Sequence, residues 1–204
     1  MPQLVPRTMI LLDPDLDPGL PLPGAAQLSA DRLPSARTLS AFLHRAQAAV
    51  RLRGQVSVLL TTDRRIRRLN RQFRGKNQAT DVLSFPAERE SEWRGPEKLA
   101  GDLAISVETA RKQAAGQGHG LSIEIKVLML HGLLHLAGYD HETDQGEMAR
   151  RERTLRARLK LPLGLIERAT DSGRPTLAPA TGRKSGKPGP KVRRTAGAAG
   201  SLRP

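Results

Sequence analysis

Ile123-Glu124-Ile125-Lys126-Val127-Leu128-Met129-Leu130-His131-Gly132-Leu133-Leu134-His135-Leu136-Ala137 is the most apolar stretch of the chain. Wound as a helix, it carries hydrophobic side chains almost all the way round, and a helix apolar on every side belongs in an interior. Other elements must therefore enclose it. Their signatures lie on both sides of it in the sequence.

Upstream, Gly101 to Val107 reads as a strand, and Ser106 can cap a helix that runs to the Gly116-Gln117-Gly118 break. Asp81 to Phe85 is another strand, closed by Pro86. Before it, Thr62 or Asp63 can cap a helix whose Ile66, Leu69 and Phe73 share an inward side, with Gly75 as its stop. Gln55 to Leu60 forms a third strand. From Thr38 to Arg53, Leu39, Phe42, Leu43, Ala46 and Val50 recur at helical spacing until Gly54. Arg7 to Leu12 can add one short strand among prolines, and Thr143 to Leu159 gives a final charged helix. Strands alternating with helices and then followed by them predict an α+β fold: a small mixed sheet of about four strands covered by helices, with a buried metal-bearing helix. The domain is expected over residues 35–168. A proline-rich segment with a possible first strand, 1–34, precedes it, and a disordered basic tail, 169–204, follows; no internal repeat is present.

Of 204 residues only 38% are apolar, because the two ends are rich in Pro and small polar residues. The formal charge of +14 and a pI near 11.3 attract polyanions, and nucleic acid is the leading partner. No run approaches the roughly 18 apolar residues of a membrane span, and Met9 to Leu12 is too short for a signal-peptide core, so no membrane partner and a cytoplasmic location are expected. The absence of cysteine excludes disulfides and thiolate metal sites. Any metal must be held by His, Asp or Glu.

His131 and His135 stand at i and i+4 on the apolar helix, so their imidazoles leave the same face about one turn apart. Gly138 can release the backbone through a left-handed turn, and Tyr139-Asp140 then bring His141 towards the pair. One histidine on an apolar helix usually just packs. Three in the pattern H-x3-H-x2-G-x2-H share a desolvation cost that a common metal removes. His131, His135 and His141 are therefore the candidate ligands of one Zn²⁺ per chain, with a fourth position left open as in catalytic sites; imidazole also suits Ni²⁺ and Co²⁺. Asp140 could support a ligand imidazole or merely shape the turn. Metzincin peptidases share the spacing but carry Glu directly after the first His, where this chain has Gly132. A peptidase would need a carboxylate from elsewhere, and Glu124 is the one available on that helix. A closed site with Asp140 as fourth ligand would instead make the metal structural, in a non-enzymatic assembly factor.

The run His131-Gly132-Leu133-Leu134-His135-Leu136-Ala137-Gly138-Tyr139-Asp140-His141 resembles the signature of the YbeY family of rRNA maturation factors. Leu69-Asn70, Phe73-Arg74-Gly75-Lys76, Thr80-Asp81-Val82-Leu83-Ser84-Phe85-Pro86 and Gly101-Asp102-Leu103-Ala104-Ile105 are similar to the same family. Met148 and Glu152 extend the likeness, which spans roughly Leu4 to Leu165. The resemblance implies a metal site at the three histidines, a basic catalytic partner at Arg74, and a TDVLSFP-like strand close to the metal helix. It also implies a metal-dependent endoribonuclease, single-strand-specific or structure-directed, acting in 16S rRNA 3′-end maturation and ribosome biogenesis. Ribosomal RNA and the small ribosomal subunit would be its partners.

Arg74 also has a role in its own right, since a guanidinium fork suits the two nonbridging oxygens that gain charge during attack on a phosphodiester. Water or the RNA 2′-hydroxyl could be the nucleophile, and no general acid stands out. Arg64, Arg67, Arg68 and Arg71 lie opposite the apolar side of that helix, either as a solvated face or as a phosphate-tracking surface. The aromatics are only Phe42, Phe73, Phe85, Trp93 and Tyr139, and the phenylalanines occupy core-like positions, which argues against a base-stacking platform. His44 and His119 have no partner at metal spacing and are expected on the surface or in loops.

Overall fold

The structure is a computed structural model in which residues 9–16, 32–87, 98–141 and 143–163 are described. The basic stretch from 169 onwards and Trp93 lie outside these residues, as does the start of the chain apart from 9–16 and 32–34. The elements run β1 (Met9–Leu12), α1 (Ala36–Val50), β2 (Gln55–Thr61), α2 (Asp63–Arg74), β3 (Val82–Pro86), β4 (Leu99–Ser106), α3 (Val107–Gln117), α4 (Leu121–Leu136) and α5 (Glu147–Leu159). The four strands form one mixed sheet in the order β1-β2-β4-β3. β2 pairs in parallel with both β1 and β4, and β3 joins β4 antiparallel as an edge.

Alternation along the strands sends side chains to two layers. Val56, Val58 and Leu60 of β2 and Leu103 and Ile105 of β4 join Leu39, Phe42 and Leu43 of α1 in the main core. α4 lies inside that core, with Leu121, Ile125, Met129, Leu130, Leu133 and Leu134 all fully covered. Ala104, Leu83 and Ile66 face the other way and form a smaller cluster beneath α2. Serine and threonine caps fix the helix starts: Ser35, Thr62 and Ser106 accept from the backbone N–H three residues on in α1, α2 and α3.

Gly132 decides how α4 meets the sheet. A Cβ there would lie 2.7 Å from Leu103 Cδ2 and 3.2 Å from Ser84 Oγ, so the helix lies flush on β3 and β4 only because this residue has no side chain. Ser84 Oγ donates to the Gly132 carbonyl at 3.4 Å. Overpacking of this kind costs roughly 1–3 kcal/mol for added methylenes. The position at which metzincins carry their glutamate is therefore enclosed by the Leu103 and Ser84 side chains, which a larger residue would have to displace, and the strand containing Val82-Leu83-Ser84-Phe85-Pro86 sits beside the histidine helix.

Three expectations need correction. α1 stops at Val50 rather than near Gly54, because Arg51 turns left-handed (φ 68°) and returns its N–H to the carbonyls of Gln47 and Ala48. α5 begins at Glu147, not Thr143; the Asp144 carboxylate accepts from the N–H groups of Gly146 and Met148, both at 2.7 Å, so the preceding residues form a capping turn. Phe73 is not inward. It is 59% exposed at the last turn of α2, where the helix has run past the small cluster that covers Ile66.

Candidate metal centre and its cleft

α4 delivers His131 and His135 from one face, and Gly138, at φ 93°, turns the chain so that His141 closes on them. The ring centroids of the three histidines are 4.9, 5.3 and 5.1 Å apart, and one potential ligand nitrogen from each lies within 4.8 Å of the others. Nε2 of His131 and Nε2 of His135 are 3.2 Å apart. Two nitrogens at 2.0–2.1 Å from a tetrahedral ion must be separated by about 3.3 Å, so the His131–His135 pair is spaced to share one metal ion. His131 and His135 are half-buried, whereas His141 is exposed.

The electrostatics suit ligation, which needs neutral imidazole. Burial, followed by the neighbouring rings of His131 and His141, holds the His135 pKa below its ordinary value, against the opposing pull of Asp140 and a hydrogen bond to the Tyr139 backbone. His131 uses its other ring nitrogen, Nδ1, to meet Glu152 Oε2 of α5 at 3.1 Å. Glu152 is itself held by Arg156, whose Nε donates to Oε1 at 2.9 Å. Burial pushes the Glu152 carboxyl up, but the His131 hydrogen bond and the Arg156 charge outweigh it and keep the pKa low. An ionised carboxylate on Nδ1 fixes the tautomer that leaves Nε2 free to ligate.

Glu152 is the carboxylate that contacts a candidate ligand imidazole directly. The Asp140 carbonyl accepts from the backbone N–H of Thr143 and Asp144, and its carboxylate accepts from Thr143 Oγ1 at 3.2 Å, so it shapes the turn while also lining the cleft beside His135. Glu124, the alternative base for a peptidase, is buried and paired at 2.5 Å with Nε2 of His119. His119 lies in the loop between α3 and α4, one of the two placings expected for it, with its ring largely covered.

The three histidines open into a cleft of about 1000 Å³, lined also by Phe73, Arg74, Lys76, Ser84, Phe85 and Tyr139. Arg74 ends α2 as its last residue, exposed and on the same cleft as the histidines. No carboxylate among the described residues pairs with it within ion-pair distance. Lys76 and Phe73 were not anticipated as cleft residues. Lys76 follows the left-handed turn at Gly75 (φ 69°), whereas Phe73 reaches the cleft from the last turn of α2 itself.

The family model described as "Endoribonuclease YbeY" matches residues 29–160. A Koribacter versatilis protein named "Endoribonuclease YbeY" is 53% identical over 136 residues, which cover 67% of this chain and 85% of that protein. A Solibacter usitatus protein of the same name is 52% identical over 127 residues, covering 62% and 81% respectively. A solution structure from Thermotoga maritima superposes with a TM-score of 0.45 at 24% identity, over 74% of this chain and 97% of the other. The matched span holds the whole sheet beyond β1, the three convergent histidines, Glu152 and Arg74, and the chain belongs to the YbeY endoribonuclease family.

Proposed function

We propose that this protein is a zinc-dependent endoribonuclease of the cytoplasm that cleaves ribosomal RNA phosphodiester bonds and matures the 16S rRNA 3′ end on the small ribosomal subunit. The observation that carries the reading is the convergence of three imidazoles in an open cleft that Arg74 also lines. The names of the relatives supply the reaction class. His131, His135 and His141 would hold one ion. Bound there, Zn²⁺ supplies Lewis acidity and a water-derived nucleophile near neutral pH. Glu152 holds the His131 ring in place, and Arg74 meets charge that grows on the phosphate oxygens. On α2, Arg64 is tied to Asp15 at 2.7 Å and Arg67 to Asn77 at 2.9 Å. Arg68 and Arg71 stay exposed without a carboxylate partner among the described residues, which supports a surface that follows the RNA backbone. The decisive experiment maps rRNA 3′ ends in cells lacking the protein and in cells carrying only His135→Ala. Unprocessed 16S ends in both are expected, and normal ends in both would refute the reading.

Glu152→Gln should weaken zinc binding by about 10- to 100-fold, the range for carboxylates that orient a ligand imidazole. Competition against a chromophoric chelator reads it directly. Unchanged affinity would mean that the His131–Glu152 contact does not prepare the site.

Residues 171–204 hold eight basic residues and one acid, a net of +7 in a chain of +14, and contain neither the histidines nor Arg74. Removing them should leave zinc content and cleavage at saturating RNA intact while flattening the salt dependence of binding. Every phosphate that the shortened protein no longer neutralises takes about 0.7 from the log–log slope on single-stranded RNA. Superimposable salt titrations for full-length and truncated protein would show that this stretch does not touch the RNA.

A further inference from the structure

We infer that Phe73 is a stacking seat for one unpaired nucleobase of the RNA, set beside the metal centre; the inference rests on the endoribonuclease reading. At 59% exposure, Phe73 is the most exposed large apolar side chain among the described residues, ahead of Leu12 at 53% and Met9 at 44%. An open phenyl ring of this size gives up the burial that would ordinarily draw it inward. It is nonetheless braced. Phe85 of β3 meets it in an edge-on arrangement, with ring centroids 5.1 Å apart and planes at 69°, so the ring is supported from one side and presented on another.

The surroundings fit a nucleotide better than an apolar ligand. Arg74 follows directly in sequence and Lys76 lies two residues beyond it, and both line the same cleft as Phe73 and the histidines. An aromatic face beside cations is the arrangement with which proteins hold single-stranded nucleic acid, the ring taking the base and the cations the flanking phosphates. The cleft, at about 1000 Å³, stands at the upper limit of small-molecule sites, as a stretch of polymer requires. Because the ring lines the cleft that contains the imidazoles, whatever stacks on it is fixed relative to the reacting phosphate. A base inside a duplex cannot present its face to a side chain. Phe73 thereby selects single-stranded RNA and sets which phosphodiester reaches the histidines.

The test uses the full chain, stripped of metal so that binding is read without cleavage, and a ten-nucleotide RNA carrying 2-aminopurine at each position in turn. One position should be quenched on binding to the wild type. Phe73→Leu should abolish that quenching and lower affinity by about 5- to 150-fold, the span of one base–aromatic stack; Phe73→Trp should retain both. Affinity for the fully paired duplex should be the same in all three. An abasic nucleotide at the quenched position should cost the wild type the same factor and cost Phe73→Leu almost nothing, a non-additivity that mere packing of Phe73 on Phe85 would not produce. Additive losses, or no quenched position in the wild type, would overturn the inference while leaving the endoribonuclease reading in place. Wild-type protein that neither binds nor, with metal, cleaves RNA would overturn both.

Discussion

His135→Ala is expected to lower bound zinc from about one ion per chain to a trace, and RNA cleavage should fall with it. Nε2 of His135 lies 3.2 Å from that of His131, and the ring also faces His141, so its loss leaves two of the three histidine donors of the group. The loss must exceed the 10- to 100-fold expected at Glu152, because a ligand is removed rather than the group that orients one. The fold should survive. His135 is half-buried beside the cleft, and the fully covered side chains of α4, from Leu121 to Leu134, are untouched. Melting of the metal-free variant should therefore match that of the metal-free wild type, which separates ligation from folding. Elemental analysis must cover nickel and cobalt as well as zinc, since all three accept imidazole. If His131→Ala or His141→Ala kept full occupancy, the ligand set would be wrong.

What the sequence made legible was local. α4 was located to within two residues at its start and one at its end because its pattern is apolar on every side, and Thr62 and Ser106 cap α2 and α3 as their hydroxyls and positions required. Gly138 takes the left-handed turn that a route to His141 demanded. The resemblance named Arg74 and Glu152 but gave Glu152 no task. Its contact with His131 spans 21 residues and exists only because α5 packs back on α4, which no periodicity encodes. Phe73 misled for the converse reason. Its spacing from Ile66 and Leu69 puts it on the apolar side of α2, but a helix can outrun the sheet it covers, and there the same side of the helix faces open cleft. His119 and Glu124 are five residues apart across the start of α4, and their pairing depends on the turn that closes α3. Asp144 hid the start of α5, because a side-chain cap four residues before Met148 N–H looks from sequence like the helix itself.

Arg74→Ala should reduce RNA cleavage by about 10²-fold or more, close to 2.7 kcal/mol of transition-state stabilisation, while zinc content and melting temperature stay near wild type. The structural basis is the side chain's freedom from other duties. It is exposed at the last residue of α2, it has no carboxylate partner among the described residues, and Gly75 rather than Arg74 provides the left-handed cap. A basic residue in the last turn does favour the helix dipole, but that contribution is only about 0.3–1 kcal/mol and is screened by salt. The loss should appear in the rate at saturating RNA more than in affinity, because Lys76 and the exposed arginines of α2 remain to hold the backbone while charge developing on the phosphate loses its donor. Arg74→Lys should recover only part of the activity, since an ammonium supplies a point charge where the guanidinium offers a planar pair of donors to two oxygens. Equal losses of melting temperature and activity would make Arg74 a structural residue, and full rescue by lysine would reduce its role to charge alone.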